Sequence, residues 1–134
     1  MKNLINQLQK DEGYRQFPYA CSRNKITLGY GRNIQEKGLT ESEARYLLTK
    51  DVIEVIKDLR KIFKDFNQLP TDIQEVLGNM RFQLGSGGFR SFRRFIKAIK
   101  KHNWNKAAIE MKDSRWYDQT KDRAKRLIKK VKHV

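Results

Sequence analysis

Apolar residues recur at steps of three and four along most of this chain, the spacing of one buried helical face. Leu4, Ile5 and Leu8 share such a face ahead of Asp11, Glu12 and Gly13. They predict a short first helix that stops at Gly13, a residue suited to a left-handed cap. Residues 14–34 change character: Tyr14, Phe17, Tyr19, Ile26, Thr27, Leu28 and Tyr30 favour strands, and Pro18, Asn24, Gly29 and Gly31 punctuate them. This stretch predicts a small antiparallel hairpin region.

Helical spacing then resumes. Thr40 and Glu43 fit a capping box, followed by a face of Ala44, Leu47 and Leu48. A second run, Val52, Val55, Ile56, Leu59, Ile62 and Phe63, marks a long amphipathic helix linking the β region to the rest. Pro70, suited to a first helical turn, opens a helix with Ile73, Val76, Leu77 and Met80 that is expected to stop at a flexible loop, Gly85-Ser86-Gly87-Gly88. Phe92, Phe95, Ile96 and Ile99 predict the next helix, and Trp104, Ala107, Ala108 and Met111 a shorter one. Thr120 is suited to cap a final helix bearing Ala124, Leu127, Ile128 and Val131. The expected class is α+β, a small antiparallel hairpin lobe joined by a long helix to a larger helical lobe. The β lobe covers about 14–38, and the helical lobe takes 1–13 and about 51–134. A chain of 134 residues suits one such domain, since two independent halves would each have a thin core.

Charge narrows the partners without choosing one. Thirty Lys and Arg against 15 Asp and Glu give a net charge of +15. Such a chain attracts polyanions at low salt: nucleic acid, anionic lipid headgroups or bacterial wall polymers. The single cysteine, Cys21, excludes an internal disulfide and a Cys-rich metal site, and two histidines are too few for a zinc centre. Residues 1–13 hold no apolar run of signal-peptide length, so the chain is expected to be made in a cytoplasm.

Glu12 is the first candidate for chemistry. A carboxylate at a helix end, beside a glycine turn and followed by a β region, is placed to work in a cleft, although an isolated Asp-Glu pair is more often solvated surface. Three blocks change the balance. Asp11-Glu12-Gly13-Tyr14-Arg15, Tyr19 and Ile26-Thr27-Leu28-Gly29-Tyr30-Gly31-Arg32-Asn33 form the first. Asn79-Met80-Arg81-Phe82-Gln83-Leu84-Gly85 is the second, and Ser114-Arg115-Trp116-Tyr117-Asp118-Gln119-Thr120 through Arg126 the third. Together they closely resemble the phage-type lysozymes, the endolysin muramidases of glycoside hydrolase family 24, in the family's order and over nearly the whole chain.

The resemblance implies a lysozyme-like fold and hydrolysis of the β-1,4 bond between N-acetylmuramic acid and N-acetylglucosamine in peptidoglycan, ending in host cell lysis. It places Glu12 on the general acid and Thr27 on the hairpin threonine that holds the hydrolytic water. Phe82 and Gln83 fall on residues lining the saccharide groove, Asn33 on a position that also touches sugar, and Arg123 on the arginine that pairs with the catalytic glutamate. No metal or organic cofactor is implied. A monomer is expected, released from the host cytoplasm to the wall or periplasm by a holin and drawn to anionic wall or outer-membrane polymers by charge.

One position departs from the family. Cys21 stands where many members carry a catalytic aspartate, whereas inverting glycosidases normally use two carboxyls. Cys21 can act as a thiolate that stabilises positive charge or assists water. Alternatively it is passive and Thr27 carries more of the work, or the chain is a weakened or binding-only relative. Arg15, Arg23 and Lys25 lie near it in sequence and favour a thiolate.

Other polar and aromatic positions have plain readings. Phe92, Phe95, Trp104 and Trp116 suit a core better than a sugar platform. Gly85–Gly88 lacks the Lys-Ser or Lys-Thr of a phosphate loop. The rival function is a non-enzymatic nucleic-acid- or wall-binding protein, on the evidence of the basic segments 90–101 and 121–133. Against it, the basic residues spread over several helices and no recognition-helix motif stands out, so no specific nucleic acid is expected. A membrane-active basic helix at 124–131 is a third reading.

Overall fold

The computed structural model describes residues 1–134, an α+β protein of seven helices and one three-stranded antiparallel sheet. The chain forms two compact units, Met1–Leu47 and Leu48–Val134.

In the first unit, α1 (Lys2–Glu12) ends where expected, and the Gly13 N–H closes onto the Gln9 carbonyl. Gly13 has φ 71° but ψ 155°, so the chain leaves the helix extended and runs straight into β1 (Arg15–Ala20) instead of curling into a left-handed cap. Leu4, Ile5 and Leu8 are exposed along α1. β2 (Ile26–Gly29) is the central strand. It pairs with β1 through Tyr19 opposite Thr27 and Ala20 opposite Ile26, and with β3 (Arg32–Asn33) through Leu28 opposite Arg32. Pro18 lies inside β1, not at its end. The register slips between Arg15 and Tyr19, the local break expected where a residue has no N–H to give to the ladder. A one-turn helix α2 (Ile34–Lys37) follows, capped by Asn33.

The helix α3 (Glu41–Ile62) joins the two predicted apolar runs into one element of 22 residues. Its start is the capping box read from sequence: the Glu43 N–H donates to Thr40 Oγ1 at 3.1 Å, and the Thr40 N–H to Glu43 Oε1 at 2.8 Å. Arg32 reinforces it. Its guanidinium donates to both Glu43 oxygens at 2.5 and 2.8 Å and to the Gly38 carbonyl at 3.0 and 3.2 Å. The Thr40 N–H first, its hydroxyl next and Arg32 after them hold the Glu43 carboxyl below its usual range, against a smaller opposing cost of burial.

The second unit holds every buried apolar side chain, from Val55 to Val131. Burying each large one stabilises the fold by about 1.5–3 kcal/mol relative to leaving it in water. In α4 (Thr71–Arg90), Ile73, Val76, Leu77 and Met80 are buried at helical spacing, as the pattern predicts. Two boundaries differ. Pro70 caps α4 from outside the first turn, with ψ 143°. The expected loop at 85–88 is instead a single break: Gly85 has φ 74° and ψ 172°, and helix resumes to Arg90. Asp58 on α3 spans that break. It accepts from Arg81 Nε at 2.6 Å before it and from Arg90 at 2.7 and 2.9 Å after it, and Arg90 also binds Ser86. Gly85 permits the kink, and the ion pairs span it.

Phe92 caps α5 (Arg93–Lys100), and Asn103 caps α6 (Trp104–Lys112) through the Lys106 N–H. Phe63, Phe89, Phe95, Phe92 and Trp116 meet edge to face in succession, each pair of centroids 6.2–6.3 Å apart. Phe92, Phe95, Trp104 and Trp116 are thus core or packed against it. In α7 (Arg115–Lys132) the cap is Ser114, which accepts from the Tyr117 N–H at 3.1 Å. Thr120 is not a cap. It lies inside α7 at a kink (φ −128°, ψ 24°), its hydroxyl turned back to the Trp116 carbonyl at 2.8 Å, a local bond that competes with the helix ladder. No helix is long and apolar enough to cross a membrane.

Candidate active site

The first unit carries Glu12, Cys21, Thr27 and Asn33. Glu12 is the last residue of α1, and its side chain is exposed. Its carboxyl lies against the backbone of Gly31 in the turn between β2 and β3. A methyl built on Gly31 would stand 2.6 Å from Glu12 Oε2 and 2.8 Å from its carboxyl carbon.

Thr27, in the central strand, is only 3% exposed. Its hydroxyl donates to the Lys25 carbonyl at 2.9 Å, and the Cys21 N–H donates to that same carbonyl at 2.9 Å. The turn between β1 and β2 therefore brings Cys21 and Thr27 to one point. Cys21 is half-buried. Its thiol is held below the ordinary range, first by the Lys25 backbone N–H, then by the Thr27 hydroxyl, then by the Arg23 N–H. Burial opposes this, and the Arg23 charge adds least. Of the three basic neighbours read from sequence, two are engaged elsewhere. Arg15 lies over the Tyr19 ring at 4.2 Å, and Lys25 pairs with Glu36 at 3.1 Å. Donor geometry, more than the cationic neighbourhood, favours the thiolate. Asn33 is committed at both ends of its amide: Oδ1 accepts from the Glu36 N–H and Nδ2 donates to Glu36 Oε2, both at 3.1 Å.

The second unit carries Phe82, Gln83 and Arg123. Phe82 is 45% exposed. It lines an apolar pocket of ≈ 410 Å³ together with Val52, Ile56, Asn79 and Arg123. Arg123 is fixed by Asn79, with Nε donating to Oδ1 at 2.7 Å and Nη2 to the carbonyl at 3.4 Å. Gln83 Oε1 accepts from the Trp116 indole N–H at 2.9 Å. Its carbonyl end is thereby set by the core. Sequence reasoning quoted Asn79, Trp116 and Gly31 inside motifs without giving them these tasks. It passed over Asp58, because partners 23 and 32 residues apart leave no local spacing signal. No three His, Cys, Asp or Glu side chains come together in a way that would hold a metal ion.

The pattern of the phage lysozyme family matches residues 9–133, which spans all three motif blocks. The chain belongs to the phage lysozyme family. It is a glycoside hydrolase that degrades peptidoglycan. A probable T4-type lysozyme 2 of Dictyostelium discoideum is 27% identical over 157 aligned positions, covering 96% of this chain and 92% of that protein. The pre-baseplate central spike protein Gp5 of Enterobacteria phage T4 is also 27% identical, over 93% of this chain but only 27% of that protein. The peptidoglycan hydrolase gp36 of Pseudomonas phage phiKMV is 42% identical over 41% of this chain and 6% of that protein. The family thus occurs both as a protein of about this length and as part of larger ones.

Proposed function

We propose that this lysozyme cleaves the β-1,4 bond between N-acetylmuramic acid and N-acetylglucosamine, with Glu12 as general acid, and that it lyses the phage's host. Glu12 gives its proton to the glycosidic oxygen as the bond to the anomeric carbon breaks. Water held by Thr27 adds to that carbon and gives its proton to the Cys21 thiolate, which returns it to solvent. The Cys21 thiolate stabilises the developing positive charge and assists the water. The observation that carries this reading is the convergence of Cys21 and Thr27 on the Lys25 carbonyl, in the unit whose exposed Glu12 carboxyl rests against Gly31. Phe82, Gln83 and Asn33 are the residues assigned to the glycan, and Arg123, held by Asn79, is the supporting arginine. The test is digestion of purified murein with analysis of the new ends. Muramic reducing ends of one anomeric form support the reading, and glucosamine reducing ends sink it.

Cys21 gives a second expected result. Cys21→Asp restores the carboxyl usual in the family and retains or raises activity. Cys21→Ala lowers the rate about tenfold, equal to roughly 1.4 kcal/mol of transition-state stabilisation, and thiol alkylation does at least as much. Thermal unfolding is followed alongside to separate chemistry from packing. Full activity in Cys21→Ala would remove the thiolate from the mechanism.

The charge has its own use. The +15 chain is attracted to anionic polymers of the wall or outer membrane, acts as a monomer, and reaches the wall from the host cytoplasm after holin-mediated release. Binding to whole walls is expected to weaken steeply with salt, while cleavage of a short neutral oligosaccharide responds far less. Equal salt responses of the two would show that charge does not serve wall attraction.

A further inference from the structure

We propose that Gly31 is the positioning residue for the Glu12 carboxyl, and that its missing side chain is the seat on which that carboxyl rests. The inference builds on the reading of Glu12 as the acid. Two features make Gly31 irreplaceable, and they are separable. Its φ of 72° lies where L side chains are strained. Independently, any Cβ would come within 2.6 Å of Glu12 Oε2, 2.8 Å of the carboxyl carbon and 3.1 Å of Cγ. Gly29, two residues earlier, has nearly the same φ of 69° yet meets nothing within 4 Å. Gly13 on the other flank of Glu12 is likewise open. Of the three glycines around the acid, only Gly31 is in contact with it.

The turn that carries Gly31 is held on both sides. Before it, the Tyr30 ring lies 5.7 Å from Tyr14, two residues beyond Glu12. After it, Arg32 is clamped by four hydrogen bonds to Glu43 and the Gly38 carbonyl. With the turn held in this way, an added methyl displaces the Glu12 carboxyl, the free end of a flexible side chain, before the turn itself. A general acid acts only within hydrogen-bond reach of the oxygen it protonates, and a displacement of about 1 Å can cost on the order of 100-fold in rate.

Gly31→Ala and Gly29→Ala separate the two features. Both lose thermal stability from the positive φ. Gly31→Ala alone is expected to lose about 100-fold in kcat on soluble murein fragments, with KM little changed and an altered pH profile of kcat. In a Glu12→Gln background the further change Gly31→Ala should have little effect on the residual rate, because the group it displaces no longer works. Equal kcat losses for the two glycine variants, a loss confined to KM, or full additivity with Glu12→Gln would each overturn the proposal. If Gly31→Ala fails to fold, Arg32→Gln frees the turn without adding a methyl; it must lower kcat more than it raises KM, and parental kcat would overturn the proposal. Failure of the Glu12 reading is distinguished by Glu12→Gln alone remaining active.

Discussion

Replacing Glu12 by Gln is expected to nearly abolish clearing of purified murein while leaving the protein folded. The amide has the shape of the carboxyl and fits the same place against Gly31, but it has no acidic proton to deliver. General acid catalysis is worth roughly 10²–10⁴-fold, so the loss should fall in that range. Stability should change little, by about 0.5 kcal/mol or less, since Glu12 is an exposed helix-terminal residue outside the core. Turbidity clearing and thermal unfolding, measured on the same preparation, check both halves. Near-parental clearing would mean that another group protonates the leaving oxygen.

The second large effect is on stability. Asp58 is 15% exposed and holds Arg81, itself 13% exposed, together with the outer Arg90. The Arg90 hydrogen bond first, and those from Arg81 and Ser86 as well, keep its carboxyl far below the usual range despite the cost of burial. Asp58→Asn leaves Arg81 desolvated and unpaired. Breaking such a pair costs about 3 kcal/mol, which should lower Tm by roughly 10 °C in a chain of this size. Arg90→Gln should cost under about 1 kcal/mol, because its partly exposed charge is returned to water. The pH dependence follows from the lowered folded pKa. The stabilisation is complete above the unfolded Asp value of about 3.9 and is lost as pH falls from there towards the folded value. Parental and Asp58→Asn unfolding temperatures should therefore converge in acid. A constant gap down to about pH 2 would contradict this account.

Where burial follows helical spacing, the elements are legible in the sequence. Ile73, Val76, Leu77 and Met80 fixed one helix, Ala124, Leu127, Ile128 and Val131 another, and the Thr40–Glu43 box is a purely local signal that the structure reproduces. The failures have a common cause. Gly85–Gly88 has the composition of a loop, but Asp58, 27 residues before Gly85, ties its two sides together through Arg81 and Arg90. Thr120 has the chemistry of a cap, but Ser114 takes that place and Thr120 turns its hydroxyl inward to Trp116. In both, a tertiary or neighbouring partner outbids local propensity. The site divides similarly. Glu12, Thr27 and Cys21 stood out by motif. That Lys25 offers the carbonyl joining Cys21 to Thr27, and that Gly31 abuts Glu12, depends on strand register, which no spacing within one strand reveals.

The distribution of burial has a consequence for the order in which the molecule becomes itself. Residues 1–47 contain a single buried side chain, that of Thr27, and no buried apolar one. A segment of that size without a core gains too little from leaving water to offset its ordering entropy. The ribosome nevertheless releases it first, strands and acid together, before any residue of the core has been made. The sheet has little burial of its own to hold it, and its amides are expected to be among those that exchange most readily. The segment that carries Glu12, Cys21 and Thr27 thus has the least burial to hold it, and the segment that contributes the core has the most.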